Sequence, residues 1–584
     1  MSTSKHIDKI CIIILLFALL LTWIFVNGKA FGMTPIVDGD TEDGQFTTND
    51  LNADWDSSNA TKIMLTGDGG SVKGNGAYIY DGNVHILNAG EYILSGELTD
   101  GRVIIDADSN DKIWILLDGV SLHCDDNAAI LVEQAKKVFL TLASGTVNSV
   151  SSGSEYTAEA VSSGIDGTIY SRDDLTINGS GSLSVTAKYQ HAIVCNDDLV
   201  ITGGSMEITA VQDGIHANDS ARFADANITI NAGDDGITVS NDDETGYVYI
   251  ESGSFSIPAC YEGIEAVDIT IAGGELDIAP TDDGINANGR GSNSVIRITG
   301  GDITIVNETG RDADGLDSNG DIYISGGNLF ISVIGSGGNC AIDYGSENGG
   351  VCEVSGGTVI AAGGSTMAEG FDSSSKQCFI MYNTSTVSAG TTVSLKNSEG
   401  TVLISEMIPC SFSSVVISTP KLQMGEICMI LIGDTEEEIT VDNSSGSSGF
   451  GMGGMRQGGF GMDGMQQGDF PGGMPGGRGG RASRFGGSQS DADPEDERQQ
   501  DMPEMPEDFT EQMQVPDARR RQNKVDGDNQ FDKEQFMQWG QNRNWMQDGE
   551  VSATSAVTPE ALILTGVSIL VLLAGIWIAL KVKH

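Results

Sequence analysis

Pairs of an acidic residue and a glycine recur along the middle of this 584-residue chain. They are separated by 21 to 31 residues and begin at Asp213, Asp235, Glu262, Asp283 and Asp314. In two of them, EGIE and DGLD, the third residue after the acid is again acidic, which adds Glu265 and Asp317. Calcium is bound mainly by carboxylate, carbonyl and water oxygens. The pattern therefore predicts bound Ca²⁺ with these seven residues as candidate ligands.

The same pairs have a purely structural explanation. Aspartate accepts hydrogen bonds from nearby backbone N–H groups, and glycine adopts positive φ where a chain turns. This alternative accounts for the acid and the glycine, but it does not require the second acid three residues later.

Short β-strands in a fixed order would position these side chains. The segments DGIHAN (213–218), DGINAN (283–288) and DGLDSN (314–319) alternate apolar and polar residues, and apolar-x-Ile runs and Gly-Gly turns follow in the neighbouring coils. A recurring turn at a near-constant period is typical of a parallel β-solenoid. A β-sandwich, the minor alternative, does not predict such a period.

Stacking of these repeats would align their polar side chains. If the coils are in register, His216, Glu265, Asn286 and Asp317 form one outward column, and Asn218, Asn288 and Asn319 form the next. Stacked strands lie about 4.8 Å apart, so carboxylates in one column repel one another unless a cation lies between them.

The chain divides into seven segments. Lys5 and Lys9 precede an apolar run, an order typical of a secretory signal. Two lysines follow a second apolar run near the end of the chain. The residues between the two apolar runs are therefore predicted to lie outside the cell. The predicted segments are a signal peptide or signal anchor (1–32), an N-terminal extension (33–75), the parallel β-helix (76–372), a small C-terminal β cap (373–445), a disordered Gly/Met-rich and then acidic stalk (446–559), a transmembrane helix (560–580) and a cytoplasmic tail (581–584).

The charge and cysteine content of the chain limit the kinds of partner that it can bind. The formal net charge is −52, which disfavours nucleic acid and anionic lipid surfaces and favours divalent cations. Eight cysteines lie outside the first apolar run without a CxxC pair, which favours small buried side chains over a zinc site on sulfur.

Candidates for catalysis are few. Between residues 161 and 370 there are six basic and 32 acidic residues. A lyase acting on uronates needs a base beside calcium-bound carboxylates, and Arg311 and Lys188 are the weak candidates. For each of them, an ordinary surface charge is the simpler explanation.

The order AGEYILSG, GRVIIDA, ILLDGVSL, AAILVEQAKKVFLTL, GTVNSV, the DGI and ITGG coils, and SSVVISTPKL resembles the clostridial carbohydrate-binding β-helix family. The resemblance covers about 85–433. It implies an all-β, right-handed parallel β-helix with pectate-lyase-like architecture, calcium along one face, and affinity for acidic polysaccharide such as polygalacturonate. The carried-over calcium positions are the five acidic-Gly pairs; Cys340 and Ala341 replace the pair in the last clear coil.

Three functions follow as hypotheses. The first is a protein of the cell membrane whose extracellular solenoid binds acidic polysaccharide through Ca²⁺. The second is a polysaccharide lyase, and the third is a structural stalk or adhesin that calcium merely makes rigid.

Overall fold

The computed structural model describes residues 45–443, apart from 242, 290–292, 311, 312 and 337. The predicted signal segment, stalk, transmembrane helix and tail lie outside the described residues, and so does Arg311. Within the described part, no helix is both long and apolar enough to span a bilayer.

The protein is all-β, and most of its strands pair in parallel with the strand one coil away. Strands are numbered in chain order. The largest sheet contains β1 (Thr61–Gly67), β2 (Gly70–Lys73), β5 (Gly90–Leu98), β7 (Lys112–Cys124), β9 (Lys137–Leu142), β10 (Val147–Ser152), β12 (Asp174–Thr186), β14 (Asp198–Thr209), β16 (Ser220–Ala224), β17 (Ala226–Asn231), β19 (Tyr247–Ile250), β20 (Gly253–Cys260), β22 (Asp268–Ile271), β23 (Glu275–Pro280), β25 (Val295–Ile298), β26 (Asp302–Asn307), β28 (Asp321–Val333), β30 (Cys352–Gly363), β31 (Phe379–Val387) and β34 (Phe412–Ser418).

A second sheet of short strands forms another face of the solenoid. It contains β3 (Ala77–Tyr80), β4 (Asn83–Ile86), β6 (Val103–Asp106), β8 (Ile130–Gln134), β11 (Gly167–Ser171), β13 (His191–Cys195), β15 (Ile215–Ala217), β18 (Ile237–Val239), β21 (Ile264–Ala266), β24 (Ile285–Ala287), β27 (Leu316–Ser318) and β29 (Ile342–Tyr344). From β4 to β29, each strand pairs in parallel with its neighbours. The solenoid predicted from the repeats is therefore present, and its right hand stays a prediction.

The coils surround one apolar interior. The second and third strands of a coil are continuous in β7, β12, β14, β28 and β30, whereas other coils consist of three short strands. In one coil these are β21, β22 and β23, which pair respectively with β24, β25 and β26 of the next. Apolar residues at alternate positions point inward: Ile264, Ile269 and Leu276 are fully buried. Because every coil repeats this pattern, the isoleucines and leucines stack into one continuous core.

The glycines of the acidic-Gly pairs have a steric role. None of the five adopts positive φ, so the expectation that they supply a left-handed turn is wrong. A Cβ at Gly284 would lie 2.5 Å from the carbonyl oxygen of Gly315 and 2.5 Å from Ile305 Cγ2. Glycine is therefore needed at this position because successive coils approach closely there.

Pairing becomes antiparallel after β30. Strands β31 and β34 continue the largest sheet in antiparallel fashion. A separate antiparallel sheet contains β32 (Thr391–Lys396), β33 (Val402–Ile408), β35 (Ile427–Ile432) and β36 (Thr435–Thr440). These strands lie within the segment predicted as a C-terminal β cap.

A short N-terminal segment is fixed against the outside of the solenoid. Helix α1 (Thr48–Leu51) begins with a capping box formed by Thr47 and Asp50. Asp50 is fully buried: its Oδ1 lies 2.9 Å from Lys137 Nζ and accepts a 2.6 Å hydrogen bond from Thr176 Oγ1. We call this contact the Asp50 clip. Other short helices among the described residues are α2 (Ala158–Ser162) and a 3₁₀ turn at Ser346–Asn348.

Candidate metal centre

The seven predicted ligands lie along the edge of the second sheet. We call Asp213, Asp235, Glu262, Glu265, Asp283, Asp314 and Asp317 the acidic ladder. Register places Ile215, Ile237, Ile264, Ile285 and Leu316 directly above one another. The acid two residues before each of them therefore occupies the same position in successive coils.

The predicted outward column is also present. His216, Thr238, Glu265, Asn286, Asp317 and Asp343 are register partners from β15 to β29. The column stands beside the first, because its members follow the acidic residues by three positions. The ladder therefore has two adjacent rows of polar side chains.

Backbone contacts occupy one oxygen of several ladder carboxylates. Asp235 N donates to Asp213 Oδ1 at 3.3 Å, Glu262 N donates to Asp235 Oδ1 at 3.0 Å, and Asp314 N donates to Asp283 Oδ1 at 2.7 Å. The structural explanation of the acidic residues is thus correct for one oxygen of each acceptor. It does not account for the close approach of the carboxylates to one another.

Four groups of side chains bring their possible ligand atoms within 4.8 Å of one another among the described residues. They are His191 with Asp213 and His216; Asp213 with Asp234 and Asp235; Asp235 with Glu262 and Glu265; and Asp314 with Cys340 and Asp343. Five of the seven predicted ligands therefore belong to at least one of these groups. The other two, Asp283 and Asp317, interact electrostatically with each other.

Burial and mutual repulsion disfavour ionisation of the ladder in the absence of a cation. Burial first, and Glu265 second, raise the pKa of Asp235 to about 8 and that of Glu262 to about 10. Burial and Asp317 raise the pKa of Asp283 to about 9. Burial and nearby carboxylates raise the pKa of Asp317 to about 7. These groups consequently hold protons near neutral pH unless a cation replaces them.

Two arginines form ion pairs away from the ladder. Arg222 pairs with Asp198 and Arg297 pairs with Asp268, both on the largest sheet. Of the two catalytic candidates, Lys188 is exposed in the loop before β13, and Arg311 lies outside the described residues. The geometry supplies cation ligands, and the imidazoles of His191 and His216 lie beside the ladder at Asp213.

Sequence reasoning missed three residues of this region. His191 occupies the position of Asp213 one coil earlier, as the pairing of Ile193 with Ile215 shows. Asp166 lies one coil before that, where its carbonyl oxygen accepts the His191 N–H at 3.0 Å. Asp343 continues the outward column beyond Asp317. Alignment of HAIVC and CAIDYG with DGIHAN would have found His191 and Asp343.

Comparisons with known proteins give partial matches. Residues 80–338 match the model of a family described as carbohydrate-binding domain-containing protein. A protein of that description from Acetivibrio thermocellus is 34% identical over 137 residues, which are 23% of this chain and 48% of the relative. The chain thus spans about half the length of this curated relative.

A solved structure also matches. It is described as that of the polysaccharide lyase-like protein from C. thermocellum in a gadolinium derivative, and it is 28% identical. The match covers 45% of this chain and 96% of the other, with a TM-score of 0.37. The sequence matches agree with the resemblance to a carbohydrate-binding family, while its implied calcium and polygalacturonate stay predictions.

Proposed function

We propose that this protein binds an acidic polysaccharide of the polygalacturonate type through Ca²⁺ held on the acidic ladder. The observation that carries the proposal is a row of carboxylates in register on successive coils, several of which bring their possible ligand atoms within 4.8 Å of one another. Calcium suits the ladder because carboxylate and amide oxygens are its preferred ligands. The partial matches to carbohydrate-binding proteins support a glycan as the partner.

Calcium would also resolve an electrostatic conflict. An acidic protein repels an acidic polymer, but a cation that keeps open coordination positions can bridge protein carboxylates and uronate carboxylates. The outward column supplies partly exposed ligands for such a bridge at Glu265 and Asp317. Tyr261 is 48% exposed next to Glu262 and is available to stack against a sugar ring.

The proposal includes display at the cell surface. The apolar segment at 560–580 would anchor the chain in the cell membrane, and the ladder would face the outside. This part of the proposal rests on the sequence alone, since the segment lies outside the described residues.

Calorimetric titration of the full-length protein with polygalacturonate tests the mechanism. Binding is expected in calcium and is expected to disappear in EDTA, whereas a neutral polysaccharide should not bind in either buffer. Binding that persists in EDTA would refute the carboxylate bridge. No binding in either buffer would refute the ligand and favour a structural role for the solenoid.

A matched pair of variants locates the site. Asp317→Asn removes a ladder carboxylate whose side chain lies in the outward column, and it should weaken calcium-dependent glycan binding. Asp302→Asn makes the same change at an exposed position on the largest sheet and should leave binding unchanged. Equal affinities for the two variants would exclude Asp317 from the site.

A further inference from the structure

Two histidines stand where the acidic ladder begins. His191 lies in the ladder's first row, one coil before Asp213, and His216 lies in the outward column. Their ring centroids are 5.0 Å apart with the planes tilted by 44°. The polar side chains at this end therefore offer nitrogen as well as oxygen.

The three side chains converge on one point. Asp213 Oδ2 lies 2.8 Å from His216 Nδ1 and 3.1 Å from His191 Nδ1. Zinc–nitrogen and zinc–oxygen bonds of about 2.0–2.1 Å in a tetrahedral arrangement separate neighbouring ligand atoms by roughly 3.3 Å. The observed distances are slightly shorter, and His191 Nδ1 also accepts the Asp213 backbone N–H at 3.2 Å, so an ion would enter after small shifts that replace this hydrogen bond.

Burial at this point favours a bound ion. The side-chain exposures of His191, Asp213 and His216 are 13%, 7% and 24%, so the group is largely shielded but accessible from the outward side. Asp166, one coil earlier, has a buried Oδ1 with no hydrogen-bond partner among the described residues. Both imidazoles interact electrostatically with this carboxylate. A metal ion would provide the positive charge that Asp166 faces.

Donor chemistry separates this group from the rest of the ladder. Calcium strongly prefers oxygen ligands, whereas imidazole nitrogen suits zinc and related transition metals.

We propose that His191, Asp213 and His216 bind one zinc ion, with Asp166 as the adjacent carboxylate that balances its charge. The ion links β13 to β15 and stands at the end of the ladder. A position accessible from the outward side remains for water or a ligand oxygen. This site goes beyond the proposed glycan function: it shares Asp213 with the acidic ladder, but its two imidazole donors require neither calcium nor a polysaccharide.

Zinc affinity is measured on the full-length protein by competition with a chromogenic chelator in the presence of millimolar Ca²⁺. We expect one zinc ion per chain that excess calcium does not displace. Cobalt in place of zinc should give the visible absorption bands of a tetrahedral site with nitrogen ligands. No zinc uptake, or displacement of zinc by calcium, would overturn the proposal and leave the group as two histidines in contact with Asp213.

Variants assign the ligands. His191→Ala and His216→Ala should each weaken zinc binding by about 100-fold or more, since loss even of a residue that supports a ligand costs about 10- to 100-fold. His123→Ala is the matched control, because His123 contacts Ser151 and Asp125 elsewhere on the solenoid. The zinc affinity of this variant should equal that of the wild type. Unchanged affinity in either ligand variant would refute the assignment.

A second set keeps the test decisive if an alanine variant does not fold. His191→Gln and His216→Gln retain a polar side chain of similar size but lack an imidazole ligand, and circular dichroism reports whether β-structure is preserved. Glu262→Gln alters the calcium ladder and should leave zinc binding intact. Loss of zinc in Glu262→Gln but not in the histidine variants would place the ion elsewhere and refute the proposal.

Discussion

Calcium binding to the acidic ladder should release protons. At pH 7, carboxyls with pKa values of about 9 and about 10, as for Asp283 and Glu262, are almost fully protonated. Asp235, with a pKa of about 8, is mostly protonated, and Asp317, with a pKa of about 7, is half protonated. Together these four groups hold roughly three protons. A carboxyl must lose its proton to become a calcium ligand, so binding and proton release are coupled.

The magnitude follows from this coupling. Each proton released makes the apparent calcium affinity rise by about tenfold per pH unit while the group is still protonated in the free protein. If calcium engages all four groups, roughly three protons should be released at pH 7, and fewer as the pH approaches 10. Calorimetry in buffers with different ionisation enthalpies counts these protons directly.

The variant Glu262→Gln tests this coupling between calcium binding and proton release. The amide cannot ionise, so this variant should release about one proton fewer and bind calcium more weakly. Glu275→Gln in the same coil is the control, because Glu275 is exposed and lies on a different face. Calcium binding by the wild type without proton release at pH 7, or equal proton counts for both variants, would refute the claim that protons occupy the ladder.

Three further predictions concern stability. Asp50→Ala leaves the buried Lys137 ammonium without its partner, so it should lower the free energy of unfolding by about 3–5 kcal/mol in urea denaturation. The control Asp54→Ala, at an exposed position, should have little effect. A loss below about 1 kcal/mol for Asp50→Ala would contradict the stabilising role of the Asp50 clip. Gly284→Ala forces a methyl group against the next coil and should lower the free energy of unfolding by about 1–3 kcal/mol in the same assay. Gly69→Ala is the control, because a Cβ there meets no atom within 4 Å. Equal stabilities of the two variants would disprove the steric role of Gly284. In EDTA the melting temperature should fall as the pH rises from 5 to 9. The folded pKa values of Asp235 and Asp283 exceed the ordinary value of 3.8, so the folded state loses stabilising protons as the pH rises through these values. A melting temperature that rises with pH over this range would contradict the raised pKa values.

The parts of the site that the sequence predicts are those encoded by local repetition. DGIHAN, DGINAN and DGLDSN contain the strand alternation and the acid together, so stacking alone determines that Glu265 and Asp317 share a column. The sequence also predicts the cysteines as small buried side chains. Among the described residues, seven of the eight are buried and none of the eight is in a disulfide.

The parts that escaped prediction depend on contacts between distant segments. Asp50 and Thr176 are 126 residues apart, and no local pattern in the sequence connects them. His191 lacks the acidic-Gly signature, so only its register with Asp213 reveals its position. The role of Gly284 was misjudged for a related reason: a glycine required by a close approach looks the same in sequence as one required by a positive φ.

The Asp50 clip also determines how the solenoid carries mechanical load. The segment around α1 contacts β9, β12 and β14 through Lys137, Thr176 and Thr202. Tension applied at Gln45 would therefore enter the middle coils directly, and Arg222 on β16 would share it through its hydrogen bond to the Gln45 carbonyl. The early strands, from β1 to β7, would stay outside this load path. Under force, the contacts of the clip with several parallel strands would be loaded together. The first coil would therefore not be the first to separate from the solenoid.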